Sequence, residues 1–238
     1  MKVLVFPFLL TVLTSTFAQE KAAVQPRLEG FEYIDVVNHP TPNPTLLIAF
    51  HYSSGTPDET LNDYNQVQAS IRVVIPKGNF RKRNGYSYYP VDYYKQDSLS
   101  QFSISQLTVD SIAAFVRAIE KKYNQKAIVS GISQGGDLAL LLAIFHPELC
   151  TASFPFAAVI NPELVRLLKK KAPSKIPIHL FQGEEDKIVS VEYTRKKVRE
   201  TQKFFNIKFY TYPSVGHDIS PEMKADYSLM IDEIIKKK

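Results

Sequence analysis

Residues 126–147 read KAIVSGISQGGDLALLLAIFHP and divide into three parts. The apolar run AIV comes first and is typical of a buried strand. A G-x-S-x-G pattern centred on Ser133 follows, and after it leucines and Phe145 recur at helical spacing before Pro147. Such a pattern also occurs by chance in loops. Its position between a strand and a helix instead predicts a sharp turn that exposes a nucleophilic serine.

The two glycines of this pattern have a steric purpose. A serine at a tight strand-to-helix turn has a strained backbone, and side chains at Gly131 and Gly135 would collide there. The turn is expected to lift the Ser133 hydroxyl clear of the sheet. It also places the backbone N–H of Gln134 at a helix N-terminus, where a developing oxyanion is stabilised.

Three segments resemble motifs of the phospholipase/carboxylesterase family of α/β-hydrolases, which includes the acyl-protein thioesterases. Residues 131–136, GISQGG, resemble the family's G-F-S-Q-G-G. Residues 182–189, QGEEDKIV, resemble its H-G-x-x-D-x-x-V, with Gln182 in place of the histidine. Residues 216–219, GHDI, resemble its late G-H-x-I.

The resemblance covers about residues 44–235 and implies an α/β-hydrolase fold with a catalytic triad of Ser133, Asp186 and His217. The order serine, acid, histidine along the chain is the one that this fold uses. The sequence contains no H-E-x-x-H pattern and no carboxylate–histidine cluster, so metal-dependent hydrolysis is not expected. We also expect no cofactor.

Two members of this triad have competitors in the sequence. Glu184 and Glu185 are alternative acids, although the G-x-x-D spacing favours Asp186. The other histidines are poorer candidates than His217 and comprise His39, His51, His146 and His179. Asp137 lies in the first turn of the predicted helix, where an acid is favourable, and is interpreted as structural.

The apolar run Thr45 to Phe50 predicts a central strand that ends in the loop His51-Tyr52-Ser53-Ser54-Gly55. In the family, an H-G-x-G-like loop stands here and donates the second N–H of the oxyanion hole. This chain has Tyr52 where the family has glycine, so the donor is either Tyr52 or Ser53, of which we favour Ser53. His51 is interpreted as a structural loop histidine.

Residues 76–104 form a connection much longer than the usual ~4–6 residues. Many aromatic residues argue against disorder. Its tyrosines Tyr86, Tyr88 and Tyr89 offer flat apolar faces with hydroxyl tips. We predict that these three line the substrate cleft, and the alternative is that the segment simply packs over the sheet.

The rest of the chain alternates predicted strands and helices. The strands are Phe31–Val37, Thr45–Phe50, Ile71–Ile75, 127–129, Phe154–Val159, Ile178–Phe181 and Ile207–Tyr212. The helices are 56–69, Gln106–Tyr123, the one after Ser133, Pro162–Lys171, Val191–Phe204 and one opening at Pro221. The predicted fold class is α/β: a doubly wound, mostly parallel sheet with helices on both faces and no large cap domain.

Composition fits one globular domain, because 238 residues with 45% hydrophobic content can bury a sizeable core. The net charge of +5 has no accompanying groove-reading motif, so nucleic-acid binding is not expected. Cys150 is the one cysteine, which excludes an intrachain disulfide. The sequence makes no prediction about oligomeric state.

Residues 1–18 have the pattern of a secretory signal peptide, which leaves 19–238 as the hydrolase domain. Lys2 precedes an apolar run that is too short to span a bilayer, and small residues end at Ala18. The alternative is a buried N-terminal strand. The pattern predicts an exported (periplasmic or secreted) protein without a stable membrane anchor.

These patterns together predict a serine hydrolase of small or carbohydrate-linked carboxylic esters, acting through an acyl-enzyme. A lysophospholipase or thioesterase is the alternative within the same chemistry. A non-catalytic binding protein on a hydrolase scaffold is the alternative from another class, because fold does not fix function. An exopeptidase is disfavoured because the chain has no room for a propeller or large cap domain.

Overall fold

The structure is a computed structural model that describes residues 25–168 and 174–236. Its strands are β1 (Gln25–Leu28), β2 (Phe31–Asn38), β3 (Thr45–Phe50), β4 (Ile71–Pro76), β5 (Phe80–Lys82), β6 (Gly85–Ser87), β7 (Ala127–Ile132), β8 (Cys150–Phe156), β9 (Ser174–Gly183) and β10 (Phe205–Tyr212). Its α-helices are α1 (Pro57–Leu61), α2 (Ser98–Tyr123), α3 (Gln134–Phe145), α4 (Pro162–Leu168), α5 (Val191–Thr201) and α6 (Pro221–Lys236). The predicted signal peptide lies outside the described residues.

Eight strands form one sheet in the order β1-β2-β4-β3-β7-β8-β9-β10. The pairs β1–β2 and β2–β4 are antiparallel, and every other neighbouring pair is parallel. The carboxyl ends of β3, β7, β8, β9 and β10 therefore share one edge, where open α/β sheets bind their ligands. The prediction of a mostly parallel α/β sheet is confirmed.

Successive side chains of the central strands point alternately to two hydrophobic cores, one on each face of the sheet. In β3, Leu46, Ile48 and Phe50 belong to one core, together with apolar residues of α2, α3, α4 and α5. Leu47 and Ala49 belong to the other core, with side chains of α6 and of the segment after α1. This period-two alternation covers both faces with helices, as predicted.

Helix α2 is long and apolar enough to cross a membrane by length and composition alone. Its fully buried residues, among them Val109, Ile112 and Val116, lie in the core that α3 shares. They pack α2 against the sheet as a core helix.

Several element ends differ from the sequence prediction for local reasons. Helix α2 begins at Ser98 and not at Gln106, because the Asp97 carboxylate accepts hydrogen bonds from the Leu99 and Ser100 amides. Strand β8 ends at Phe156, and the left-handed φ of 48° at the next residue, Ala157, turns the chain out of the sheet.

The predicted helix over 56–69 is also shorter than expected. Helix α1 ends at Leu61 and a single 3-10 turn, Asn62–Tyr64, follows it. Tyr64 is buried and donates a hydrogen bond to the Ser130 hydroxyl in β7. The helix therefore ends early because the Tyr64 ring packs against the sheet.

The long connection after β4 has regular structure of its own. Strands β5 and β6 form a hairpin, and an isolated bridge joins its Tyr86 to Gly55 in the loop after β3. Ser54 N–H donates to the Tyr86 carbonyl at 2.8 Å, and Tyr86 N–H donates to the Gly55 carbonyl at 3.0 Å. The hairpin therefore lies beside the loop that the sequence assigns to the oxyanion hole.

Candidate active site

Ser133 occupies a strained turn between β7 and α3. Its φ of 55° and ψ of −119° lie outside the regions that L-residues normally adopt. A Cβ at Gly135 would lie 2.1 Å from the carbonyl oxygen of Phe50, and one at Gly131 would lie 2.5 Å from the carbonyl oxygen of Gly135. Only glycine fits at these two positions, which is the steric reason for the G-x-S-x-G spacing.

The Gln134 side chain fastens this turn to the connection after the β5–β6 hairpin. It is 1% exposed, and its Oε1 accepts a hydrogen bond from the Tyr88 amide at 2.7 Å. Its Nε2 donates to the Ser87 hydroxyl at 3.1 Å and to the Tyr94 hydroxyl at 3.3 Å. The residue after Ser133 thus positions a neighbouring segment through its side chain, and the role of its backbone N–H in an oxyanion hole stays a prediction.

Asp186 and His217 lie on the loops that follow β9 and β10, and they are joined directly. Nδ1 of His217 is 2.8 Å from Oδ2 of Asp186, whose side chain is fully buried. The other carboxylate oxygen, Oδ1, accepts hydrogen bonds from the amides of Ile188 and Val189 at 2.8 and 2.9 Å. These bonds fix the carboxylate, so it can hold one tautomer of the imidazole.

Gln182 stabilises the loop that carries Asp186. It is fully buried at the end of β9, and its Nε2 donates a hydrogen bond to the Val189 carbonyl. Gln182 replaces the histidine of the family motif, and here the side chain closes the turn from which Asp186 projects.

The structure places Ser133 at the same sheet edge as the Asp186–His217 pair. Its amide donates to the Phe156 carbonyl at the end of β8, and the amide of Ala157, just after that strand, donates to the Phe181 carbonyl in β9. In the described part of the chain, the Ser133 hydroxyl and His217 are not joined by a hydrogen bond. Such contacts are often long without substrate and tighten when it binds.

The loop after β3 offers two candidate donors for an oxyanion. The amides of Ser54 and Gly55 already donate hydrogen bonds to the carbonyls of Tyr86 and Tyr52, respectively. The amides of Tyr52 and Ser53 remain as candidates, as the sequence predicted, and the choice between them stays a prediction.

His51 is a buried structural residue, in agreement with the sequence interpretation. Its Nδ1 lies 2.7 Å from the Tyr52 carbonyl and its Nε2 accepts the Gly78 amide at 2.9 Å. This arrangement requires the neutral ring. Burial lowers the pKa of His51 to about 4, although the bond to the Tyr52 carbonyl opposes the shift.

The competing acids and histidines lie elsewhere. Glu184 and Glu185 are exposed, and Glu184 accepts a hydrogen bond from the Thr211 hydroxyl. His146 lies 2.8 Å from Asp110 at the far end of α3, and His179 is 3.1 Å from the Tyr210 hydroxyl within the sheet. His39 is exposed in the turn after β2.

Two of the three predicted cleft-wall tyrosines lie in the core. Tyr88 is 3% exposed, and its hydroxyl donates to the Pro76 carbonyl at 2.6 Å. Tyr89 is fully buried and its ring stacks on Tyr93. The sequence interpretation of Tyr88 and Tyr89 as cleft-wall residues was therefore wrong in placement. Both residues follow β6, and their amides are held by the side chains of Gln134 and Ser87 while the rings pack inward.

Tyr86 is half-buried on the other side of the hairpin. Lys77 and Arg81 lie over its ring at 4.8 and 5.1 Å. It borders a depression between β2 and α1. Its side chain points to the opposite face of β6 from that of Ser87, which faces Gln134. Its role in substrate binding stays a prediction.

Two residues beside the site were not singled out from the sequence. Tyr94 is 52% exposed, and its hydroxyl accepts a hydrogen bond from the Gln134 side chain. Lys82 Nζ donates to the Ser53 hydroxyl at 2.7 Å and lies 4.4 Å from the centre of the Tyr94 ring. The basic and aromatic composition of the connection was the available signal, but it did not identify which members face the site.

Asp137 lies one turn into α3, beneath the site. Its Oδ1 accepts the Val159 amide at 2.6 Å in the loop after β8. Burial raises the pKa of this carboxyl to about 8, and the bond from Val159 opposes the shift. Asp137 therefore tethers a loop of the site edge. The interpretation of Asp137 as structural agrees with this contact, but the sequence did not indicate the loop that it holds, and the expected reason, a charged acid in the first helical turn, does not fit a carboxyl whose pKa is raised by burial.

A sequence model of the Phospholipase/Carboxylesterase family matches residues 61–235. The chain belongs to this family. An "Acyl-protein thioesterase 1" of Debaryomyces hansenii is 33% identical over 117 residues, which cover 47% of this chain and 50% of that protein. One of Candida albicans is 31% identical over 134 residues, covering 52% and 57%. The chain thus spans about half the length of the curated relatives it matches.

Solved structures confirm the α/β-hydrolase fold. Esterase PE8 superposes with a TM-score of 0.73 at 17% identity, covering 90% of this chain and 98% of that one. A carboxylesterase from Mesorhizobium loti gives a TM-score of 0.72 at 15% identity, covering 90% and 99%. At these identities the likeness concerns the fold alone.

Proposed function

We propose that the chain is a serine hydrolase of carboxylic esters, with Ser133, His217 and Asp186 as its catalytic residues. The observation that carries the proposal is the 2.8 Å contact between His217 and Asp186 at the sheet edge where Ser133 stands in its strained turn. Membership of the phospholipase/carboxylesterase family supports it.

In the proposed reaction, Nε2 of His217 takes the Ser133 proton while the serine oxygen attacks the ester carbonyl. The carbonyl oxygen becomes an oxyanion, and the Gln134 amide with that of Ser53 or Tyr52 stabilises it. The imidazolium then gives its proton to the leaving alcohol, which leaves an acyl-serine.

Water completes the cycle by attacking the acyl-serine. His217 takes the proton of the water and returns it to the Ser133 oxygen as the carboxylic acid leaves. Asp186 orients Nδ1–H of His217 and stabilises the charged ring in both steps, which its two backbone hydrogen bonds prepare it to do.

We propose small or carbohydrate-linked esters as substrates. Among the described residues no cap domain interrupts the strands and helices of the sheet, so we expect local side chains to enclose the acyl or alcohol group. Export, which the first 18 residues predict, would also separate this chain from acylated cytosolic proteins. The second candidate is a thioesterase or lysophospholipase, and the curated relatives named "Acyl-protein thioesterase 1" favour it.

A substrate panel tests the proposal. The mature protein is offered 4-nitrophenyl acetate and butyrate, an acetylated sugar, a lysophospholipid and an S-palmitoyl peptide, with Ser133→Ala as the blank. We expect turnover of the small or sugar-linked esters to exceed turnover of the thioester. A preference for the S-palmitoyl peptide or lysophospholipid would favour the second candidate, and no turnover of any ester would indicate a binding protein.

A further inference from the structure

The β5–β6 hairpin presents its cations to different surroundings. The Arg81 side chain is exposed and lies over the Tyr86 ring. Lys82 is half-buried, with its ammonium donating to the Ser53 hydroxyl at 2.7 Å. Adjacent strand residues point to opposite faces, so one cation meets solvent and the other meets the site.

The Lys82 ammonium has no acidic partner in the described part of the chain. None of the ion pairs found there includes Lys82. Its surroundings are the Ser53 hydroxyl and the face of Tyr94, with Arg83 next in the chain. Burial, with a smaller effect of Arg83, lowers the pKa of Lys82. A partly desolvated cation of this kind is stabilised by an anion from outside the chain.

The position of Lys82 relates it to the reacting bond. Ser53 is a candidate donor of the oxyanion hole, and the Lys82 ammonium is bonded to its side chain. The Tyr94 ring beneath the ammonium is bonded through its hydroxyl to Gln134, the neighbour of Ser133. Lys82 is therefore in direct contact with Ser53 and is connected through Tyr94 to Gln134, and these are two of the residues proposed to form the oxyanion hole.

We propose that Lys82 is a specificity-determining residue that binds a carboxylate carried by the ester close to its scissile bond. The proposal rests on the proposed ester hydrolysis and names its substrate class: acidic esters. The ammonium and the Ser53 hydroxyl bind the carboxylate, while Tyr94 covers its aliphatic or aromatic link.

Two matched pairs of substrates test the proposal by kinetics. One pair is 4-nitrophenyl hemisuccinate and its methyl ester, which carry the charge on the acyl side. The other is 4-acetoxybenzoate and its methyl ester, which carry it on the leaving group. In Lys82→Met, we expect the acidic-to-neutral ratio of kcat/KM to fall about five-fold or more in at least one pair, the effect of a partly exposed ion pair.

Arg81→Met is the matched control, because it removes an exposed cation of the same hairpin. Its acidic-to-neutral ratio should stay within about two-fold of wild type. In wild type, added salt should lower the ratio because it screens the ion pair. An unchanged ratio in Lys82→Met for both pairs overturns the proposal. Equal losses on acidic and neutral esters also overturn it, since they would mean that Lys82 only supports the Ser53 loop.

A binding measurement keeps this test separate from the proposed function. Calorimetry on Ser133→Ala should show tighter binding of the hemisuccinate ester than of its methyl ester. The difference should disappear when Lys82→Met is added. If wild type hydrolyses none of these esters but the difference is present, ester hydrolysis fails and the anion site stands. If hydrolysis occurs and the difference is absent, the anion site fails.

Discussion

The side-chain oxygen of Gln134 accepts a hydrogen bond from the backbone amide of Tyr88 at 2.7 Å, in the interior of the protein. The residue that follows the proposed nucleophile is thereby tied to a segment that lies 46 positions earlier in the chain. This bond and the bond to the Tyr94 hydroxyl hold the turn at Ser133 and the connection after the hairpin together.

Replacing Gln134 with Met keeps the length of the side chain and removes its polar atoms. The buried Tyr88 amide then loses its acceptor, which we expect to lower the free energy of unfolding by about 1–3 kcal/mol. Hydrogen exchange followed by mass spectrometry should detect faster exchange in the segment that contains Tyr88. Exchange as slow as in wild type would mean that the segment is held by other contacts.

Ser133→Ala and His217→Ala should each lower kcat about ten-thousand-fold or more, and the double variant should be little worse than either. The reason is that members of a triad act as a unit. Asp186→Asn should also lower kcat, because the imidazole loses its orientation. The test is ester hydrolysis with correctly folded variants.

Two controls accompany these substitutions. His146→Ala removes a histidine that contacts Asp110 at the far end of α3, and Glu185→Gln changes an exposed acid on the Asp186 loop. Both should retain activity. If Glu185→Gln is more damaging than Asp186→Asn, the acid has been assigned to the wrong residue.

Tyr88 and Tyr89 allow a matched comparison of two buried hydroxyls. The Tyr88 hydroxyl donates to Pro76 and accepts from the His51 amide, whereas that of Tyr89 has no partner among the described residues. Tyr88→Phe should lower the free energy of unfolding by about 1–3 kcal/mol. Tyr89→Phe should leave it unchanged or raise it by up to about 1 kcal/mol. Urea unfolding measures both, and a reversed order would contradict the burial that we describe.

Asp137 should make stability depend on pH. Its folded pKa of about 8 is higher than that of an unfolded aspartate, so the folded state keeps a proton that the unfolded state has lost. Stability from this group is therefore present at low pH and is lost as pH rises towards 8. Asp137→Asn keeps an oxygen acceptor for the Val159 amide and removes this dependence.

We expect the advantage of Asp137→Asn over wild type, in free energy of unfolding, to grow by about 1–3 kcal/mol between pH 5 and pH 8. Urea unfolding at the two pH values is the measurement. An advantage that stays constant or shrinks with pH would show that Asp137 is ionised in the folded protein throughout.

The N-terminal segment should be removed after Ala18 when the chain is made in its native host, leaving Gln19 as the first residue. Mass spectrometry of the protein recovered from the native host measures this directly. A protein that retains Met1 in a cytosolic fraction would contradict both the cleavage and the export.

The features that local chemistry dictates could be predicted from the sequence. The strand, turn and helix around Ser133 follow from an apolar run, glycine spacing and helical periodicity within about 20 residues. The edge position of Asp186 and His217 follows from the alternation of strands and helices. The start of α2 was also available, because Asp97 is a favoured N-cap residue.

The orientation of the aromatic connection could not be predicted, because contacts distant in the chain decide it. Tyr86 pairs with Gly55, and Gln134 holds Tyr88. These bonds set which tyrosines turn inward, and no local periodicity records them. The contact between Lys82 and Ser53 is of the same kind.

The pairing of β3 with β7 has a consequence for how the chain folds. The strands β1 to β4 pair among themselves, as do β7 to β10, and the two groups meet only where β3 lies beside β7. Pairing Ala49 with Ser130 closes a chain segment of about 80 residues, a non-local contact that slows folding. The Gly135 backbone fits against Phe50 only across this seam. We therefore expect the turn at Ser133 and the loop after β3 to become neighbours only when the two halves of the sheet join, so that the proposed reaction centre forms together with this long-range pairing.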